Sequence, residues 1–345
     1  MGVTLKQIAE LAGVSVGTVD RALHDRGRVD PKVAQRIKLI AKELDYRPNT
    51  VAKSLSSRRR NLKITVIFHI QSHNAFFNDV MKGIQNCKEE ISDFGISIEL
   101  KECPDFNAQE QLKLIDQAIE EGTNAIAIVP INHPAIKKRI NELHRQHFPV
   151  VFLTNIIDET EYLSFVGCNY TLSGAITAGL LYLACPGHGK LLLFSPSFQM
   201  LGHVLRMNGL KKTLEQEYSQ IVLQDVIEMT GNDIRDYQLT RKALEEFPET
   251  NLIVCPGAYS YGNLQAIQEM GYFQNSRIIC YDYSQEIGKE IKNRNITATI
   301  IQQPQLQGYT AMKTLFEYLT YEKIPDTRNQ YIETRIILKE NLSEI

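Results

Sequence analysis

The stretch "GVSVGTVDRAL" puts Ser15, Val16, Gly17, Thr18 and Arg21 on about one and a half turns of a short predicted helix, whose rise is about 1.5 Å per residue. Helical spacing groups Val16, Gly17, Asp20, Arg21 and His24 on one face and turns Val19, Ala22 and Leu23 to the other. A face with an apolar methyl pair, a bare backbone position and a guanidinium suits the major groove of DNA. Val16 fits a thymine methyl, Arg21 can fork onto guanine O6 and N7, and Gly17 lets the backbones approach. The hydroxyls of Thr4, Ser15 and Thr18 stand where phosphates would pass. A second set lies at the ends of strand-like runs farther along: "HNAFF" after 63–70, "TN" after "PVVFL", "YDYS" after "RIIC" and "QQ" after "ITATII". Aromatic faces beside carboxylate, amide and guanidinium groups match the apolar C–H faces and the hydroxyls of a neutral polyhydroxylated ligand.

These residues need elements to hold them. Thr4 and Gln7 fit a capping box that opens a helix with Leu5, Ile8, Ala9 and Ala12 on one face. Gly13 ends it, Ser15 is a natural N-cap for the second helix, and Asp30-Pro31 start a third with the stripe Val33, Ile37, Ile40 and Leu44. Two short helices with a tight glycine turn, packed on a third, make a helix-turn-helix unit. The segment "YRPNTVAKSLSSRRR" is too short for a helix stable by itself. It either orders on DNA, with Leu55 as a minor-groove wedge, or stays a basic solvated linker.

From Leu62 strand-like runs alternate with helix-length stretches such as 107–121 and 134–147. The strands are expected at 63–70, 96–100, 125–131, 149–155, 190–196, 251–257, 277–283 and 296–304. Such alternation implies parallel sheets with helices on both faces, and so many strands imply two lobes with ligand in the cleft between them.

The chain of 345 residues carries a net charge of −2 that hides a split, about +7 over residues 1–60 and about −9 over the remainder. A basic head on an acidic body points to a polyanionic partner. Six scattered cysteines without a CxxC pair read as reduced core thiols, which places the protein in the cytoplasm. "MGVTLKQIAE" lacks the basic and apolar regions of a secretory signal, and no apolar run is long enough to span a membrane.

Enzyme chemistry finds no constellation. "PGHGKL" lacks the spacing and hydroxyl of a phosphate loop, and no GxSxG or HExxH occurs. His144 and His147 have no companions for a metal site. No cofactor, no metal and no catalytic residue are expected.

"VTLKQIAELAGVSVGTVDRAL" followed by "YRPNTVAKSL" resembles the lac-repressor family of bacterial transcription regulators. The resemblance implies base reading by Val16, Gly17 and Arg21, and backbone contacts from Thr4, Ser15, Thr18 and Asn49. It implies a hinge helix whose Ala52 and Leu55 enter the minor groove. Asp20 stands where that family usually has serine; it either pairs with a basic side chain or reads a cytosine amino group. The body resembles the ribose-type pattern of sugar-binding periplasmic proteins through "NAFF", "LRMNGL", "YD" and "ATIIQQP". By position this assigns Asn74, Phe76, Phe77, Thr154, Asn155, Arg206, Asp282 and Gln302 to the ligand. Thr154-Asn155 replace the Asp-Arg pair usual there, and Pro256-Gly257 stand where a polar Asn or an Ala-Gly pair is usual, so the ligand is expected to differ from a simple pentose.

The expected fold is an N-terminal all-α helix-turn-helix domain joined to an α/β two-lobed, type I periplasmic-binding-protein-like domain with parallel sheets. Its parts are a head (1–47), a hinge helix or linker (48–61) and an effector domain (62–345), with an N-lobe of about 62–168 and 302–329 and a C-lobe of about 169–301 and 330–345. The expected function is ligand-responsive transcription regulation, as a repressor of sugar uptake or catabolic genes. Its partners would be palindromic double-stranded operator DNA, a small sugar-like effector and a second copy of the chain, in a homodimer or a tetramer, with no membrane involved. A solute receptor feeding a sugar transporter is the alternative, disfavoured by the basic head and the missing signal segment.

Overall fold

A computed structural model of the protein describes residues 3–23, 29–44, 46, 60–70, 75–104 and 106–345. Its first elements are three helices, α1 (Leu5–Ala12), α2 (Val16–Leu23) and α3 (Pro31–Glu43). The Thr4 hydroxyl accepts from the Gln7 N–H at 3.4 Å, and Gln7 Oε1 accepts from the Thr4 N–H at 2.8 Å. This closes the expected capping box. Gly13, at φ 67°, caps the other end of α1 in the left-handed region that glycine adopts without steric cost. Asp30 accepts from the N–H groups of Lys32 and Val33, and Pro31 fixes the first turn of α3. Ile8, Val19, Ala22, Ile37 and Ala41 are buried together, with Leu5, Leu23, Val33, Ile40 and Leu44 half-buried around them.

The body contains two six-stranded sheets. The first has the order β11 (Asn329–Tyr331), β5 (Ser164–Gly167), β4 (Val150–Leu153), β3 (Ala125–Ile128), β1 (Lys63–Ile70), β2 (Ser97–Pro104). The second runs β12 (Arg335–Ile337), β10 (Ala298–Ile301), β9 (Arg277–Tyr281), β8 (Leu252–Cys255), β6 (Gly189–Ser195), β7 (Ile221–Glu228). All ladders are parallel except β10–β12, which is antiparallel.

Period-two alternation sorts each central strand between two cores. Ile64, Val66 and Phe68 of β1 join α4 (Ala75–Glu90) and α13 (Pro304–Tyr321), whereas Ile67 joins α5 (Ala108–Glu120) and α6 (Pro134–Arg145). In the second sheet Leu192 and Phe194 face α9 (Asp233–Glu246), α10 (Tyr261–Glu269) and α12 (Gln285–Lys292). Leu191 and Leu193 face α7 (Tyr170–Ala184) and α8 (Leu201–Glu217).

The chain crosses between the sheets three times: after β5, after β10 and after β11. β11 straddles the lobe boundary expected near 329 and pairs through Tyr331 with β5 of the first sheet. The lobes interlock, since Met200, just before α8, is buried in a first-lobe core and Tyr170, at the start of α7, in the other. A glycine holds α8 close to α7: a Cβ at Gly209 would fall 2.2 Å from the Thr171 carbonyl oxygen. That approach fixes the helix that carries Arg206.

Candidate functional site

In the head, Ser15, Val16, Gly17 and Arg21 are exposed on one face of α2, while Val19 and Ala22 are buried beneath it. The Ser15 hydroxyl accepts from the Thr18 N–H at 3.1 Å and shares a hydrogen bond of 2.9 Å with the Thr18 hydroxyl. Arg21 Nη2 donates weakly back to Thr18 Oγ1 at 3.4 Å. The three polar side chains thus form a row along the exposed face, aligned before any partner arrives. A Cβ at Gly17 would meet only Ser15 Oγ, at 3.9 Å, so packing within the head does not require glycine there. Leaving Val16 44% exposed has no use for the head's own stability either. Asn49, Ala52, Leu55 and Asn74 lie outside the described residues.

In the body, an interlobe cavity of about 630 Å³, counted out to open solvent, has Phe76, Phe77 and Thr154 on the first-lobe side. Arg206, Asp282 and Gln302 also line it. Thr154 follows β4 and Asp282 follows β9, and both take the left-handed backbone at φ 59° and 60°. Non-glycine residues rarely adopt this conformation, and it aims both turns into the cleft.

Asp282 Oδ1 accepts from Gln302 Nε2 at 2.7 Å, and Gln302 Oε1 accepts from the Cys168 thiol at 2.9 Å. Burial pushes the Asp282 carboxyl above its ordinary pKa, an effect opposed by the Arg206 charge and the Gln302 hydrogen bond. Burial likewise pushes the Cys168 thiol up to about 11. The Arg206 guanidinium, 6% exposed, lies 4.0 Å from the Tyr281 ring centre and 4.9 Å from that of Tyr170. Its Nε is buried without a hydrogen-bond partner. Phe76 and Phe77 meet edge to face at 5.4 Å. Among its described lining residues the cavity therefore offers rings, one cation and one carboxylate.

Asn155 differs from its expected place. It is 1% exposed and does not line the cavity. Its Nδ2 donates to the Pro130 carbonyl at 2.7 Å, and its Oδ1 accepts from the Gly202 N–H at 2.9 Å. The amide is used up bridging a first-lobe loop to α8, so it acts as a strut between lobes.

Other wall residues had weak or no signal in the sequence. Tyr281 sits in "YDYS", but its ring could have pointed to either side of β9. His203 is three residues before Arg206, on the same helical face, and nothing in its neighbourhood marks it. Its Nδ1 lies 2.9 Å from the Ser197 carbonyl oxygen, and burial, with the nearby Arg206 charge, pushes its pKa down to about 4.

An unfolded histidine titrates near 6.5. As pH falls from about 6.5 toward 4, the unfolded chain binds the proton first, so His203 is expected to lower stability across that window. Melting temperatures between pH 4 and 7.5 test this: the decline should flatten in His203→Gln, and an unchanged profile would contradict it.

Among the described residues no cluster of three or more His, Cys, Asp or Glu could hold a metal ion, and no helix is long and apolar enough to cross a membrane. The described cysteines are free thiols.

Comparison with known proteins places both halves. Residues 4–49 match the family model "Bacterial regulatory proteins, lacI family", and residues 64–323 match "Periplasmic binding protein domain". Catabolite control protein A of Staphylococcus epidermidis is 23% identical over 331 residues, 94% of each chain. The ribose operon repressor of Bacillus subtilis is 29% identical over 256 residues, 73% of this chain and 72% of that protein. GanP, a glucose-galactose binding protein of Geobacillus stearothermophilus, superposes with a TM-score of 0.73 at 20% identity, over 81% of this chain and 99% of its own. The chain is a DNA-binding transcription regulator that joins a lacI-family head to a body belonging to the periplasmic-binding-protein domain family.

Proposed function

We propose that this sugar-responsive transcription regulator is a cytoplasmic repressor of sugar uptake or catabolic genes. The head (1–47) reads one half of a palindromic operator through Val16, Gly17 and Arg21, with Thr4, Ser15 and Thr18 on the phosphates. Residues 48–61 form the hinge, with Asn49 on the backbone and Ala52 and Leu55 in the minor groove. The effector domain (62–345) takes the ligand between Asn74, Phe76 and Phe77 on one side and Arg206, Asp282 and Gln302 on the other, above Thr154. Asn155 holds the two lobes together behind it.

One observation supports this reading above the others: the glycine and valine at the front of α2 serve no packing role in the head, in a chain that also carries a built interlobe cavity. A transporter's solute receptor has a use for the cavity and none for such a face. A single head makes too few contacts for tight binding, so two copies act together on two half-sites. The body is the switch: a ligand that prefers one lobe arrangement biases whether the paired heads fit DNA, and the coupling is reciprocal.

Selection of bound duplexes from a randomised DNA pool with the full chain tests the DNA half. The expected outcome is an inverted repeat with half-sites about one helical turn, or a multiple of it, apart. Enrichment of no sequence, with binding that only tracks salt, would contradict it.

A further inference from the structure

The cavity wall carries a further polar group, His203, besides those set at the strand ends. If the ligand is a sugar, as proposed above, this wall decides which sugars fit. His203 lies one turn before Arg206 on α8 and lines the same cavity. Its Nδ1 is 2.9 Å from the Ser197 carbonyl oxygen. A carbonyl only accepts, so Nδ1 carries the ring proton. With a pKa pushed down to about 4, the ring is neutral near pH 7, and Nε2 keeps its lone pair as an acceptor with no protein donor among the described residues.

Asp282 presents a second acceptor, because Gln302 occupies only its Oδ1. Against these two stands a single cation, Arg206; no other lysine or arginine is among the described lining residues. Arg206 is already flanked by two rings and shares its charge with Asp282. A phosphate or carboxylate placed here would face one guanidinium, a carboxylate and an imidazole lone pair. Neighbouring hydroxyls of a polyol meet all three: one donates to Asp282 and another to His203, and either can accept from Arg206 Nε, which is otherwise buried without a partner.

We infer that His203 is a specificity-determining residue of the effector site, an uncharged acceptor that with Asp282 selects a neutral polyhydroxylated ligand over its phosphorylated or carboxylated counterpart. Discrimination of this kind is strong because the wrong ligand leaves buried polar groups unpaired.

Calorimetric titration of the full chain at pH 7.5 tests it, with ribose, xylose, glucose, galactose and myo-inositol against ribose 5-phosphate, glucose 6-phosphate and glucuronate. The expected result is binding of at least one neutral compound, with any charged counterpart at least tenfold weaker. His203→Phe should weaken that neutral ligand at least tenfold, and His203→Gln, which restores an acceptor, should recover most of it. A charged compound that binds as well as its neutral parent, or a folded His203→Phe that binds unchanged, would overturn the inference and leave the sugar reading standing. Binding of none of the compounds would overturn the sugar reading, and this inference with it. If His203→Phe does not fold, the neutral-over-charged preference of the unaltered protein decides.

Discussion

Gly17→Leu is expected to abolish sequence-specific DNA binding without lowering the melting temperature of the protein. The position lies in a helix and on open surface, where a Cβ meets nothing closer than Ser15 Oγ at 3.9 Å. Exchanging glycine for leucine within a helix favours the fold by up to about 1 kcal/mol. On DNA the balance reverses. An isobutyl group at the front of α2 would hold the helix off the groove and separate Val16 and Arg21 from base edges. Each bidentate base contact contributes about 1–3 kcal/mol of discrimination, so losing the docked geometry should cost about 100-fold or more in specific affinity. Anisotropy titrations of specific and random duplexes, beside a thermal melt, measure both sides. Undiminished specific binding by a folded variant would mean that this face of α2 does not enter the groove.

Arg206→Ala should have the largest effect on the body. Its guanidinium is 6% exposed, lies over the rings of Tyr281 and Tyr170, and is the cation that opposes the burial of Asp282. Truncation removes the donors a ligand would meet and leaves the Asp282 carboxylate to be buried without its countercharge. Hydrogen bonds to charged groups contribute about 1.5–3 kcal/mol each, so effector affinity should fall by about 100-fold. Operator affinity should then be the same with and without ligand. Calorimetry with the effector and operator titrations with and without it check the two halves. A variant that still binds and responds would move the effector site away from this cavity.

How far these sites were legible in the sequence depended on how local their causes are. The head was readable because Thr4, Gln7, Gly13, Ser15 and Asp30-Pro31 act within a few residues of themselves, and their caps form as expected. The central strands were readable because burial on both faces makes them continuous apolar runs. β5, β7, β11 and β12 were not anticipated. β11 and β12 are three-residue edge strands, β5 has four residues, and β7 is an edge strand with polar Gln224 and Asp225 in its middle. Such segments are held by their neighbours and carry little pattern of their own.

Within the cavity, the strand-end residues Thr154, Asp282 and Gln302 were visible because parallel sheets deliver their strand ends to the cleft. Asn155, expected at the ligand, faces away from the cavity, and His203 was not anticipated. Which way a side chain turns after a strand, and which helical residue reaches the wall, depend on how one lobe closes on the other. The left-handed Thr154 is one such feature, since it turns the chain so that Asn155 faces Pro130 and Gly202 and not the cavity.

The central claim is that a ligand in the interlobe cavity controls the grip of the head on DNA. Its most direct test is a pair of linked titrations: operator affinity at zero and saturating sugar, and sugar affinity with and without the operator duplex. Reciprocal coupling requires the two ratios to be the same factor, and coupling energies of about 1–3 kcal/mol correspond to about 5–150-fold. Equal ratios well above one would establish the switch and, by their direction, its sign. A sugar that binds tightly yet leaves operator affinity unchanged would contradict the account.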